Sequence, residues 1–129
     1  MTAEKATREC RALLKAFGLS DWVVMVCSNS AIASVEGSAV GRNGGQLLGL
    51  TVFALKAIFL SETYCEHDFQ AWELIEHECA HALSGDWRCE NSPRFDAAAN
   101  LIDTFYRAEI VSHLSDKMQD NKILEVKNS

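Results

Sequence analysis

The chain has 129 residues, 48% of them hydrophobic, enough to bury one core without disulfide staples. A net charge of −6 argues against nucleic-acid binding, which needs clustered Lys and Arg to neutralise phosphates, and favours a protein or peptide partner. No apolar run approaches the roughly 18 residues of a membrane span, and Met1 to Phe17 is too charged for a signal peptide, so a cytoplasmic protein with no membrane partner is expected.

Thr2 to Phe17 reads as a helix with Thr2 as its N-cap, an apolar stripe of Ala6, Cys10, Leu13, Leu14 and Phe17, and Gly18 as its stop. Trp22 to Cys27 is a valine-rich strand, and Ala31 to Val40, with its weak alternation, reads as a second. Gly41 to Gly45 carries the strongest turn signal and predicts a hairpin. Leu47 to Phe53 and Ala57 to Ser61 follow as strands joined across Ala54, Leu55 and Lys56, which makes a small antiparallel sheet of three or four strands.

From Asp68, a candidate cap, the pattern turns helical through Phe69, Trp72, Leu74, Ile75, Cys79, Ala82 and Leu83, and Ser84-Gly85 closes it. Asp86 to Asn91 is a polar loop. Ser92 at the N-cap and Pro93 at the first helical position then open another helix, which runs to about His113. The expected fold is α+β: a single domain over residues 1–115 and a polar tail over 116–129.

The chemistry is concentrated in His77-Glu78-Cys79-Ala80-His81, an HExxH pattern on the first of these two helices. Residues four apart share a helix face, so both imidazoles can reach one ion, and Zn²⁺ is the expected cofactor. Glu78 is placed to take a proton from a water that the zinc acidifies, which is the chemistry of amide hydrolysis. A chance HExxH on an ordinary helix is the competing reading, but three ionisable groups in an apolar helix are costly to bury without a metal.

A third ligand is sought on the next helix, where Asp96 and Asn100 are four apart and Asp103 continues the stripe. Asp96 is the first choice as ligand, and Asn100 the second-layer partner that fixes a histidine tautomer. A solvated face, or a carboxylate favoured by the helix dipole, would account for the same stripe. Glu90 is the reserve, and Cys89 and Asp86 stand behind it. The sequence offers His67 and His113 as surface or cap residues and Cys65 and Cys79 as packed thiols. Trp22, Trp72, Phe69, Phe95 and Phe105 are expected in the core, and Tyr64 or Tyr106 could donate to an oxyanion.

The stretches Leu48-Gly-Leu-Thr-Val-Phe53, Lys56-Ala-Ile-Phe-Leu-Ser61 and Leu74-Ile-Glu-His-Glu-Cys-Ala-His-Ala-Leu83 together resemble the SprT-like metallopeptidases. In that family a later His-Gly segment gives the third ligand; here Asn91-Ser-Pro-Arg-Phe95 fits the frame but lacks the histidine. Asp96-Ala-Ala-Ala-Asn100 is similar to the acidic-ligand helix of the ImmA/IrrE-type gluzincin peptidases, with aspartate in place of their glutamate. Both resemblances imply a minimal zincin-like fold in which the strand around Ala57 to Leu60 lies over the metal and pairs with an extended peptide. The activity they imply is zinc-dependent peptide-bond hydrolysis of a protein substrate. The alternative is a zincin-fold protein of weak or absent activity that sequesters a partner; a purely structural zinc fits less well because Glu78 would have no task.

Overall fold

The computed structural model describes residues 1–37, 47–106 and 108. The chain divides into two compact units, Met1–Ala99, which holds the sheet and the HExxH helix, and Asn100–Ser129. It is an α+β protein. Helix α1 (Ala3–Ala16) leads into strand β1 (Val23–Cys27), helix α2 (Asn29–Glu36), strands β2 (Gly49–Val52) and β3 (Ala57–Ser61), and helix α3 (Asp68–Ser84). A further helix, α4, covers residues 93–106.

Local chemistry accounts for most boundaries. The Thr2 hydroxyl accepts the Lys5 N–H at 3.1 Å and opens α1, whose buried Ala6, Cys10, Leu13 and Leu14 recur at helical spacing. This stripe packs on α3, and the Cys10 and Cys79 sulfurs meet at 3.6 Å between the two helices. Both cysteines are free and buried, as is Cys65. Strand β3 is the centre of a three-stranded sheet ordered β1-β3-β2, and its Ala57, Ile58, Leu60 and Ser61 are buried.

Several expectations are corrected. Ala31 to Val40 does not begin a strand: α2 occupies Asn29–Glu36, because the Ser28 hydroxyl caps the Ala31 N–H at 3.2 Å and draws Ile32 into the core. The sheet is mixed rather than antiparallel, since β3 lies between β1 and β2: Val23 to Cys27 runs parallel to Ala57 to Ser61, while Gly49 pairs antiparallel with Leu60. Strand β3 is bonded on both sides, so it cannot be the strand that accepts a peptide; among the described residues β2 is bonded on one side only. Asp68 lies inside the first turn of α3, and His67 occupies the cap with no side-chain bond. Phe69, expected in the core, is 75% exposed at the solvent side of that turn, whereas Trp22 and Phe95 are buried. The hairpin expected at Gly41 to Gly45, His113 and the tail over 116–129 lie outside the described residues. Among the described residues no helix is long and apolar enough to cross a membrane.

Candidate metal centre

Helix α3 is buried along most of its second half, including Glu78, Cys79, Ala80, His81 and Ala82. The one-turn spacing brings the Nε2 atoms of His77 and His81 to 3.2 Å from each other. Two nitrogens at about 2.0–2.1 Å from one tetrahedral ion stand about 3.3 Å apart, so the pair already has the separation that shared ligation requires. Cys89 completes the group: the ligand atoms of His77, His81 and Cys89 all lie within 4.8 Å of one another. These two imidazoles and one thiol, the donors grouped among the described residues, could hold a metal ion, and such a donor set is of the kind that zinc takes.

The loop after α3 prepares these donors. Gly85 ends the helix in a left-handed conformation, φ 68°, and its N–H bonds the His81 carbonyl. One residue on, the Asp86 carbonyl accepts from His81 Nδ1 at 2.8 Å. A carbonyl only accepts, so Nδ1 carries the proton and Nε2 keeps its lone pair for an ion. The Asp86 carboxylate meanwhile gathers the Arg88 N–H at 3.0 Å, the Arg88 guanidinium and the Ser92 hydroxyl at 2.8 Å. Arg88, through its side chain and then its backbone, and Ser92 after it, hold the Asp86 carboxyl well below the usual carboxylate range. Ser92 in turn caps the Phe95 N–H at 3.1 Å. Cys89 is thus carried on a loop pinned at both ends, and the Phe95 ring packs 5.2 Å from His77 and 4.7 Å from His81, centroid to centroid.

The Glu78 carboxyl meets strand β2. Its side chain is 4% exposed, and its Oε1 accepts the Thr51 hydroxyl at 2.9 Å. Gly49, two residues earlier on the same strand face, leaves space for the carboxyl: a Cβ there would stand 2.8 Å from Glu78 Oε2 and 2.7 Å from Leu74 Cδ1. Burial pushes Glu78 up to about 7, against the Thr51 hydrogen bond, which lowers it. Desolvation by surrounding protein, with His81 second, pushes His77 down to about 4, even though part of its ring is open to solvent. Near neutral pH the His77 imidazole is therefore neutral, as ligation needs, and Glu78 can exchange a proton.

An open groove of about 410 Å³ runs beside His77, lined by Leu48, Tyr64, Glu73, Leu74 and Phe95 among others. Of the two tyrosines expected near the chemistry, Tyr64 is in this groove; Tyr106 belongs to the second unit. The structure brings His77, Glu78 and His81 together but not the carboxylates expected to join them. Asp96 and Glu90 are exposed and outside the group of donor atoms, where Cys89 stands instead. Asn100 is exposed and belongs to the second unit, and the tautomer-fixing contact expected of it is made by the Asp86 carbonyl. Thr51 and Gly49 had no sequence signal beyond lying at alternate positions of an apolar strand. No protein-family model, curated protein or solved structure matches this chain.

Proposed function

We propose that this protein is a zinc-dependent hydrolase of peptide bonds in a protein substrate, with His77, His81 and Cys89 as the metal ligands and Glu78 as general base. The observation that carries this reading is the convergence of the two Nε2 atoms at 3.2 Å beside the Cys89 sulfur, on the helix that also buries a carboxyl. Bound zinc supplies a Lewis acid that acidifies water and polarises a carbonyl. The chain's own residues do the rest. His81, held by the Asp86 carbonyl, presents a fixed lone pair. Glu78, raised toward neutrality by burial, takes a proton during attack and can return it to the leaving amine. Tyr64, in the groove beside His77, is the candidate donor to the developing oxyanion.

Three donors rather than four among the described residues favour an open, catalytic site over a closed structural one. An extended peptide substrate can add to the side of β2 that is unpaired among the described residues, on the strand that also contacts Glu78. The resemblance of the motif and its preceding strands to the SprT-like peptidases supports the same activity. Metal analysis of the purified chain, followed by mass-spectrometric mapping of new termini in a treated lysate, tests it. Wild type should hold one zinc and cleave, and Glu78→Gln should hold zinc without cleaving. Failure to bind zinc, or cleavage that survives Glu78→Gln, overturns the reading.

A further inference from the structure

The two oxygens of Glu78 have unlike surroundings, and both differences trace to β2. Oε1 accepts the Thr51 hydroxyl at 2.9 Å, and the same hydroxyl stands 3.1 Å from the Glu78 carbonyl. A hydroxyl has one proton, and a carboxylate is the stronger acceptor, so the bond to Oε1 prevails when Glu78 is charged. Oε2 instead faces the bare Cα of Gly49, where any side chain would collide with it. Residues two apart on a strand share a face, so one segment supplies both a clamp and a clearance.

We infer that Gly49 and Thr51 of β2 are the positioning residues of the hydrolase: Thr51 holds one carboxyl oxygen of Glu78, and Gly49, bare of a side chain, lets the other lie against the strand, so that the carboxyl is fixed in place to take the proton of the attacking water. This assignment rests on the hydrolase reading, because positioning has a catalytic meaning only if Glu78 takes a proton in the reaction. It separates positioning from packing, since valine has the shape of threonine and lacks only the donor.

The test uses the full zinc-loaded chain and its Thr51→Val, Thr51→Ser and Gly49→Ala variants. Thr51→Val should keep zinc and KM while kcat falls about 10–100-fold, the range of a lost positioning contact. Thr51→Ser, which restores the hydroxyl, should recover most of that loss; Gly49→Ala should retain zinc and lower kcat by displacing the carboxyl. A second readout needs neither metal nor turnover. In urea unfolding of the metal-free chain at pH 8, Thr51→Val should weaken folding about tenfold when Glu78 is present and less than twofold in the Glu78→Ala background. Hydrolysis with unchanged kcat in Thr51→Val, or equal effects of that substitution in both backgrounds, overturns the assignment and leaves the hydrolase standing. A Thr51–Glu78 coupling in a wild type that hydrolyses nothing overturns the hydrolase and the catalytic role with it, and leaves the clamp as a structural bond.

Discussion

Replacing Glu78 by Gln in the metal-free protein removes a charge that the fold disfavours while keeping the shape and an acceptor for the Thr51 hydroxyl. The carboxyl's ordinary value of 4.5 is raised to about 7 in the folded chain, with burial as the leading cause. A folded-state value above the unfolded one means the native state holds its proton longer. The native state is therefore unpenalised below pH 4.5, loses stability progressively between 4.5 and about 7, and carries the whole penalty above that. At about 1.4 kcal/mol per pH unit the full penalty is about 3 kcal/mol. Wild type and Glu78→Gln should thus be about equally stable at pH 4, and the variant should be about 3 kcal/mol more stable at pH 8. With a urea slope of about 1.5 kcal/mol per molar for a chain of this size, the midpoints should separate by about 2 M. His77, pushed down to about 4, titrates in both proteins and drops out of the difference. The assay is urea unfolding followed by circular dichroism in the presence of a chelator, at half-unit steps of pH. A stability difference that stays flat from pH 4 to pH 8 would refute the argument that burial of Glu78 stores this free energy.

Other outcomes follow from neighbouring contacts. Cys89→Ser should weaken zinc binding by more than the roughly 10–100-fold typical of supporting residues, whereas Asp96→Asn, exposed and outside the donor group, should leave it unchanged in a competitive chelator titration. Ser92→Ala removes both the Phe95 cap and a bond to the Asp86 carboxylate, and should destabilise the protein by about 1–3 kcal/mol in the same unfolding assay. Gly85→Ala places a side chain at φ 68° with open space around it, so the loss is backbone strain alone, about 1 kcal/mol. Ile58→Ala, at a fully buried position of the central strand, should cost about 2–5 kcal/mol through the cavity it leaves.

What could be read from the chain was whatever has a period or a cap. Thr2 and Ser92 announce their helices because a hydroxyl at the N-cap has an N–H to satisfy, and the HExxH spacing places two imidazoles together because a helix turn does so. Ala31 to Val40 misled because isoleucine and valine suit a strand; Ser28, the residue that overrides them, caps a helix of only eight residues. The third donor was harder still. Asp96 and Asn100 were visible as a periodic pair, but periodicity defines a helix face and says nothing of what that face meets. Cys89 approaches the histidines through a loop whose path is set by Asp86, Arg88 and Ser92, and contacts of that kind leave no period in a sequence. The same holds for Gly49 and Thr51, whose meaning depends on which helix lies across their strand.

From Ser84 to Phe95 the chain forms one continuous bonded strap. The Ser84 hydroxyl takes the Asp86 N–H, Asp86 takes Ser92, and Ser92 takes Phe95, whose ring rests on both histidines. Sulfur donor, imidazole orientation and apolar wall are therefore held by one run of contacts. Under the proposed function the grip on the ion would therefore depend on hydrogen bonds that none of the three donor atoms makes, so a change at Ser84 or Ser92 would reach the metal without touching it.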